Sequence, residues 1–141
     1  MPRRNAVNGL RIWKLRGGCY EDNNCIEGCS ECNRALRTIS VGNMVYTSGQ
    51  LGINPATGKL EEGVEAQTHM SLKNLQAILA EKGMTLDDVV KTTVFVKNLD
   101  DFTVVNQIYG SYFTEYPARS CVQVAKLPMD GLVEIECIAC R

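Results

Sequence analysis

A strand is predicted over residues 132–140, and apolar and polar residues alternate in it from Val133 to Cys137. Glu134 and Glu136 share one face of the strand predicted there, and the apolar side chains point to the other face. A run rich in β-branched residues predicts an earlier strand over 120–127, and the turn residues 128–131 separate the two strands. Two carboxylates on a half-buried strand indicate either a solvated face or a lined pocket.

Two segments have the 3.6-residue spacing of amphipathic helices. Residues 64–82 form the longer one, which ends at the C-cap Gly83, and Asp100 is predicted to cap the second. The predicted buried positions are Val64, Thr68, Leu72, Leu75, Ile78 and Leu79 in the first helix, and Val105, Ile108, Tyr109 and Tyr112 in the second. Pro117 prevents the second helix from continuing. His69, the only histidine, lies at the edge of the first stripe, where a packing or solvent role is commoner than catalysis.

The remaining strands are predicted from apolar runs and turn residues. Residues 89–97 are apolar on both faces, which is typical of a central strand. Segments 34–41 and 44–53 predict a strand pair around the tight-turn dipeptide Gly42-Asn43. Gly49 inside the second of these strands marks either a β-bulge or a close approach of the backbone to another group.

The balance of charge argues against some partners. The 141 residues carry a formal net charge of -1, which gives no electrostatic reason to expect nucleic acid. Residues 1–18 hold five basic residues and no acid, so the remainder has 10 basic and 16 acidic residues, or -6. No apolar run approaches the roughly 18 residues of a membrane helix. These features favour a cytoplasmic protein, and the alternative is a mitochondrial-type presequence in the basic start.

Seven cysteines occur in a chain without a visible secretory signal, which favours free thiols in a reducing compartment. Four of them lie between residues 19 and 32, but only Cys29 and Cys32 have the Cys-x-x-Cys spacing of zinc sites, and no histidine is nearby. We therefore predict no metal site and no cofactor. Residues 1–9 are predicted to be a basic tail, and residues 10–141 a single domain that begins with a short strand.

The stretch from Tyr116 to Glu136 resembles a family signature. It follows the pattern P-A-R-S-x-V-x-V-x-x-L-P-x-x-x-x-V-E-I-E, which is typical of the Rid/YjgF family of reactive intermediate deaminases, often labelled L-PSP endoribonucleases. Residues 41–50, V-G-N-M-V-Y-T-S-G-Q, are similar to a second segment of that family. The resemblance extends over roughly residues 39–141, about three quarters of the chain.

The resemblance implies a fold and an assembly. The fold is α+β, of the chorismate-mutase type, with one mostly antiparallel sheet and two helices packed on one face. The assembly is a homotrimer with pockets between subunits, which would bury the other sheet face. The strands agree with this, since they carry more apolar residues than one pair of layers easily covers. The implied ligand is a small 2-imino or 2-keto acid, with neither nucleic acid nor membrane as a partner.

The resemblance also implies a reaction, the hydrolysis of reactive 2-imino acids to 2-keto acids and ammonia. Arg119 would hold the substrate carboxylate, because a guanidinium makes two parallel charge-assisted bonds to it. Glu134 would position the attacking water and accept its proton. The substrate-binding positions that match the family's pocket are Ser48, Gly49, Asn106 and Cys121. Cys121 would contact the ligand through its backbone rather than as a nucleophile.

Several alternatives remain open. Arg119 and Glu134 could instead form a structural ion pair. The family's G-P-Y-S-Q segment, whose tyrosine lines the pocket, has no counterpart here; its place falls near Ala35, and Tyr20 is a candidate substitute. That departure favours a non-catalytic trimer that binds small carboxylates and acts as a regulator. RNA cleavage is the third alternative, which the acidic balance beyond residue 18 and the single histidine argue against.

Overall fold

The computed structural model describes residues 38–141 and, before them, only the backbone of two short strands. The chain divides into two compact units, Met1–Arg34 and Ala35–Arg141. In the first unit, β1 (Ala6–Val7) pairs with β2 (Leu10–Arg11) in antiparallel register.

Parts of the sequence discussed above lie outside the described residues. They include the cysteines between 19 and 32, Tyr20 as a candidate substitute, and the place near Ala35 where the family tyrosine would fall. The boundary predicted between the basic tail 1–9 and the domain from residue 10 therefore stays a prediction.

The second unit has five strands before its first helix, one strand between the two helices and two strands after the second helix. In chain order they are β3 (Thr38–Val41), β4 (Met44–Thr47), β5 (Gln50–Leu51), β6 (Ile53–Asn54), β7 (Lys59–Leu60), α1 (Gly63–Glu81), β8 (Val89–Val96), α2 (Phe102–Tyr112), β9 (Ala118–Gln123) and β10 (Val133–Cys140). Short 3-10 turns precede β8, α2 and β10, at Leu86–Asp88, Leu99–Asp101 and Pro128–Asp130.

The main sheet has the strand order β3-β4-β10-β8-β9, and β5 pairs with β10 as well. Every pairing is antiparallel except that between β8 and β9, which is parallel. The sheet is therefore mixed, and with two helices it confirms the predicted α+β class. β8 has a neighbour on each side, as its apolar character predicted. The last two strands, β9 and β10, flank β8 and do not pair with each other.

Both helices contribute to one core, which defines an inner face of the sheet. The predicted stripe of α1 is buried except for Val64, which is half-buried against the core. In α2, Val105 and Tyr109 are buried as predicted, whereas Ile108 and Tyr112 are half-buried. The fully buried aliphatic residues that meet the helices from the sheet are Val94, Val96, Val133 and Ile135. Gly83 ends α1 with a φ of +66°, and the Gly83 and Met84 N–H groups bond back to the carbonyls of Ala80 and Leu79, which is a Schellman cap.

The predicted cap of α2 is wrong. Asn98, rather than Asp100, supplies the capping oxygen: its side chain accepts a hydrogen bond of 3.0 Å from the Asp100 N–H. A 3-10 turn precedes the helix, and its N–H groups are the first that need a capping oxygen. The apolar stripe shows only where the α-helix begins, so it places the cap too late in the chain. α2 then begins at Phe102, after Asp101, whose side chain makes no capping bond.

Two boundaries also differ from the prediction. β9 covers 118–123 rather than 120–127, because its parallel partner β8 ends at Val96, opposite Gln123. α2 ends at Tyr112, several residues before Pro117, so the proline is not its immediate stop. No helix in the described part of the chain is both long and apolar enough to span a bilayer.

The outer face of the sheet, opposite the helices, is open in the single chain. Ile39 stands opposite Tyr46, and their side chains are 64% and 43% exposed. Val41 and Val122 lie on the same face and are exposed by 61% and 43%. Several apolar side chains thus share a surface that no element of residues 38–141 covers.

Candidate functional site

Arg119 and Cys121 lie on the inner face of β9, as their spacing predicted. In the parallel pairing with β8 they stand opposite Thr92 and Val94, both of which are buried. Asn106 on α2 accepts a hydrogen bond at its Oδ1 from Arg119 Nη2, at 2.7 Å. We refer to Arg119, Asn106 and Cys121 as the inner half-site.

Two aromatic rings of α2 hold the guanidinium group. Arg119 Cζ lies 4.6 Å from the ring centroid of Tyr109 and 5.6 Å from that of Phe102. The Tyr109 hydroxyl is fixed in turn by Thr92 Oγ1 at 2.7 Å. Burial raises the pKa of Tyr109 despite that hydrogen bond and the nearby Arg119, so the phenol stays neutral. The guanidinium is therefore oriented before a ligand arrives, and it retains N–H donors beyond the one given to Asn106.

The Cys121 thiol is not an activated nucleophile. Burial raises its pKa, and the positive charge of Arg119 only partly opposes this effect. The only histidine of the chain, His69, lies on α1, where its Nδ1 is 2.9 Å from the Tyr112 hydroxyl. Cys121 thus lines the inner half-site as a neutral thiol, and the hydrogen bond of the histidine goes to Tyr112 rather than to Cys121.

The strand predicted over 44–53 is interrupted at Ser48 and Gly49. β10 pairs first with β4 and then with β5, but the three residues 47–49 stand opposite only two residues of β10, 136–137. The extra residue makes a β-bulge, one of the two alternatives that the glycine indicated. The backbone of Ser48 and Gly49 thereby leaves the regular strand.

Glu134 lies on the outer face of β10, beside this bulge. Its neighbours Val133 and Ile135 are fully buried on the inner face, which confirms the predicted alternation. The Gly49 backbone packs directly against the Glu134 carboxyl group: a Cβ on Gly49 would overlap Oε1 and lie 2.7 Å from Cδ. Both alternatives for the glycine therefore hold, a bulge and a close approach. We refer to Ser48, Gly49 and Glu134 as the outer half-site.

The surroundings of Glu134 favour its protonated form more than water does. Partial burial raises the pKa of the carboxyl group, and the charge of Glu136 on the same face raises it further. Neither oxygen of Glu134 accepts a hydrogen bond from any group within residues 38–141. A carboxylate with a raised pKa and available oxygens is suited to take a proton from a bound water.

The two half-sites lie on opposite faces of the sheet within one chain. Glu134 stands opposite Phe95 of β8, and Arg119 stands opposite Thr92. Residues three apart on a strand point to opposite sides, so the guanidinium and the carboxylate are separated by the sheet. The alternative of a structural ion pair between Arg119 and Glu134 is therefore excluded within a single chain.

Other polar groups lie apart from both half-sites. A solvent-open depression of about 420 Å³ on α1 is lined by Glu61, Ala66, His69, Met70 and Lys73. None of the six candidate residues lines it. In the described part of the chain, no three histidine, cysteine, aspartate or glutamate side chains converge to hold a metal ion.

The sequence reasoning missed the residues that orient the inner half-site. Tyr109 was predicted only as a core residue, and Phe102 was not singled out. The available signal was spacing, because residues 102, 106 and 109 share one face of a helix. An asparagine between two aromatic residues on one helical face indicates a place where an arginine can be held.

Known proteins resemble the chain in sequence and in fold. A 2-iminobutanoate/2-iminopropanoate deaminase of Escherichia coli (strain K12) is 51% identical over 110 residues, which cover 75% of this chain and 86% of that protein. The crystal structure of E. coli TdcF with bound serine has a TM-score of 0.71 and 44% identity, over 74% of this chain and 85% of that one. The crystal structure of RidA from the Antarctic bacterium Psychrobacter sp. PAMC 21119 has a TM-score of 0.72 and 47% identity, over 74% of this chain and 85% of that one. The family model described as Endoribonuclease L-PSP matches residues 32–141, and the chain belongs to that family.

Proposed function

We propose that this chain is a deaminase that hydrolyses reactive 2-imino acids to 2-keto acids and ammonia. The observation that carries the proposal is the pair of half-sites, an oriented arginine with open donors and a partly buried carboxylate with a raised pKa. The sequence identity of 51% over 110 residues to a protein named 2-iminobutanoate/2-iminopropanoate deaminase supports the substrate class.

The inner half-site would bind the substrate carboxylate. Arg119 offers a planar fork of N–H donors, and a 2-imino acid carries a carboxylate next to its imine carbon. Asn106 and the two aromatic rings already fix the guanidinium, so binding requires little further ordering of that side chain. Cys121 would border the bound acid as a neutral group.

The outer half-site would activate water. Glu134 accepts a proton from a water molecule while the oxygen of that water bonds to the carbon of the protonated imine. The C=N bond thereby becomes a C–N single bond. The carboxylic acid then returns this proton to nitrogen, the C–N bond breaks and ammonia leaves. The regenerated Glu134 carboxylate takes the hydroxyl proton, so that the C–O bond becomes the carbonyl of the 2-keto acid, and then passes this proton to ammonia, which is released as ammonium. The bulge brings the backbone of Ser48 and Gly49 beside this carboxyl group, where it can contact the reacting centre.

A complete pocket would need two copies of the chain, because Arg119 and Glu134 point to opposite faces of one sheet. An inner half-site on one copy and an outer half-site on the next make a head-to-tail contact, and repeating such a contact closes a ring. The exposed apolar residues of the outer face, among them Ile39 and Val41, would be covered in such a ring. We expect a homotrimer with one pocket at each contact.

Reaction with a freshly generated imine tests the proposal. Threonine and a threonine dehydratase supply 2-iminobutanoate, and semicarbazide traps it as a semicarbazone that absorbs in the ultraviolet. The wild-type protein is expected to lower the initial rate of semicarbazone formation severalfold and to speed the appearance of 2-oxobutyrate and ammonia. An unchanged initial trapping rate at every protein concentration would overturn the proposal.

A second candidate, a non-catalytic trimer that binds small carboxylates, is favoured by the missing G-P-Y-S-Q segment. This candidate predicts that calorimetry detects binding of 2-oxobutyrate to the protein, while the initial rate of imine trapping by semicarbazide stays unchanged. RNA cleavage, the activity in the family description, predicts instead that a labelled RNA is shortened by wild-type protein and that Arg119→Ala removes this effect.

Gly49→Ala is expected to reduce kcat about tenfold or more, because the new methyl group displaces the Glu134 carboxyl and small displacements at a reacting centre are costly. Stability in urea should change by less than about 1 kcal/mol, since the displaced group is the end of a flexible side chain. Gly110→Ala is the matched control, because a Cβ at Gly110 meets open space. Equal kcat values for wild type and Gly49→Ala would contradict the role of this close approach.

A further inference from the structure

A row of polar side chains on α1 faces the protein interior. Gln67, Ser71 and Asn74 are spaced by four and three residues, which aligns them along one side of the helix. Ser71 is fully buried and Gln67 is 5% exposed. Buried polar groups destabilise a core unless they are hydrogen-bonded, and each of these three is bonded to backbone.

Two of the three side chains bind the segment that follows the bulge. Ser71 Oγ donates a hydrogen bond of 2.6 Å to the Gln50 carbonyl. Asn74 Nδ2 donates to the carbonyls of Leu51 at 3.1 Å and Ile53 at 3.0 Å. The helix therefore holds the backbone of this segment directly, just where the bulge interrupts regular pairing with β10.

The third side chain binds the approach to the strand that carries Glu134. Gln67 Oε1 accepts a hydrogen bond of 2.8 Å from the Leu132 N–H, two residues before Glu134. Its Nε2 donates 2.9 Å to the Glu61 carbonyl. Gly52 packs so closely on Gln67 that a Cβ there would overlap the helix backbone. The Gln67 side chain thus ties the helix to the start of the Glu134 strand, and the backbone of Gln67 supports Gly52 in the segment after the bulge.

The contacts continue from this row to the carboxyl group. The Gln50 side-chain amide folds back and donates to the carbonyls of Ser48 and Gly49, each at 3.2 Å. Gly49 in turn packs against the Glu134 carboxyl. A shift of the Gln50 backbone would therefore move Gly49, and with it the carboxyl group that rests on it.

We infer that Gln67, Ser71 and Asn74 are positioning residues, which hold the Ser48–Gly49 bulge against Glu134 and so fix where the attacking water is held. The inference rests on the proposed function for its kinetic consequence. The placement of the bulge itself does not depend on the activity and can be measured separately. No substrate contact is assigned to the three residues.

Ser71→Ala and Asn74→Ala are the test variants, and Thr68→Val is the matched control. Thr68 is fully buried on the same helix, but among residues 38–141 its hydroxyl bonds only to the Val64 carbonyl of α1 itself. The test variants are expected to lower kcat about tenfold. KM should change little, because the carboxylate of the substrate binds at the inner half-site, which these variants leave intact. The acid limb of their kcat–pH profile should move, since the carboxyl group no longer rests on Gly49. Thr68→Val should change neither quantity.

Hydrogen exchange provides a readout that needs no activity. Amides of residues 48–51 are expected to exchange at least tenfold faster in Ser71→Ala and Asn74→Ala than in wild type, and at the wild-type rate in Thr68→Val. If Ser71→Ala fails to fold, Asn74→Ala, at a less buried position, decides the result. Unchanged exchange at 48–51 in the folded test variants would overturn the inference, as would an equal loss of kcat in Thr68→Val. If the wild-type protein hydrolyses no imine, the proposed function fails, whereas the exchange rates still decide whether this row positions the bulge.

Discussion

Replacing Arg119 with alanine is expected to lower kcat/KM for imine hydrolysis by roughly 100- to 1,000-fold, the usual loss when a charge-assisted pair loses one partner. The guanidinium is fixed by Asn106 and Tyr109, so its removal takes away a binding group that is already oriented. Arg119→Lys keeps the charge but has no planar fork, so it should recover only part of the loss. Initial rates at several imine concentrations, with semicarbazide as the competing trap, measure the effect.

The same variant shows whether the other half of the pocket comes from a second chain. Arg119→Ala lacks the inner half-site, and Glu134→Gln lacks the outer one. If the two are unfolded, mixed in equal amounts and refolded together, random assembly joins an intact inner half-site to an intact outer one in about a quarter of the pockets. About a quarter of the wild-type activity is therefore expected to return from two preparations that are each nearly inactive.

A double variant controls the mixing experiment. Arg119→Ala with Glu134→Gln in one chain has neither half-site, so mixing it with either single variant should restore nothing. Native mass spectrometry confirms that the assemblies contain both chains. Mixed assemblies without recovered activity would contradict a pocket shared between copies.

The periodicity of the sequence was sufficient to predict most helices and strands of residues 38–141, whereas their arrangement in one sheet with two helices was predicted from the resemblance. The stripe on α1 and the alternation on β10 follow from burial on one side of each element, which a regular spacing reveals directly. The cap of α2 was mispredicted at Asp100 because the 3-10 turn before the helix leaves no mark in the apolar stripe. The parallel pairing of β8 with β9 was also not predicted, since pairing partners depend on contacts between distant residues.

The candidate site residues were named one by one from the resemblance and stay a prediction; their division between two faces of the sheet was not predicted. The alternation along each strand shows which neighbours share a face with Glu134 or with Arg119. Whether these two faces lie on the same side of the sheet depends on how β10 and β9 each pair with β8, and the sequence does not show that pairing. The bulge, too, was predicted only in part. Gly49 indicated an irregularity in the strand, whereas the packing of its backbone on Glu134 depends on the shift of β5 relative to β10.

Glu134→Gln is expected to reduce kcat by about 100- to 10,000-fold, the range for loss of a general base. Glutamine has nearly the same shape but cannot accept the proton of water at neutral pH. The inner half-site is unchanged, so binding of 2-oxobutyrate should persist. Glu136→Gln, on the same strand and face, is the matched control and should keep most of its kcat at pH 8. A similar loss in both variants would contradict a specific role for Glu134.

The pH dependence of the wild-type rate should follow the same carboxyl group. In the proposed mechanism the ionised form of Glu134 is the base, so kcat should fall as the pH drops through the raised pKa of this carboxyl group. Because the charge of Glu136 contributes to that elevation, Glu136→Gln should move the acid limb to lower pH. An acid limb that stays in place in Glu136→Gln would mean that another group controls the rate.

Stability measurements distinguish a catalytic carboxylate from a structural one. Because the native pKa of Glu134 is raised above its unfolded value, the native state binds more protons between the two values, and stability falls as the pH rises through that window. Glutamine cannot ionise, so Glu134→Gln should resist urea better than wild type at pH 7, and the difference should vanish below about pH 4, near the unfolded pKa. A carboxylate held in place by structural partners would show the opposite sign, with Glu134→Gln the less stable protein at pH 7. If the reaction needs the ionised carboxylate, the protein retains it at a cost in stability. Glu134→Gln is then expected to lose turnover and to gain stability.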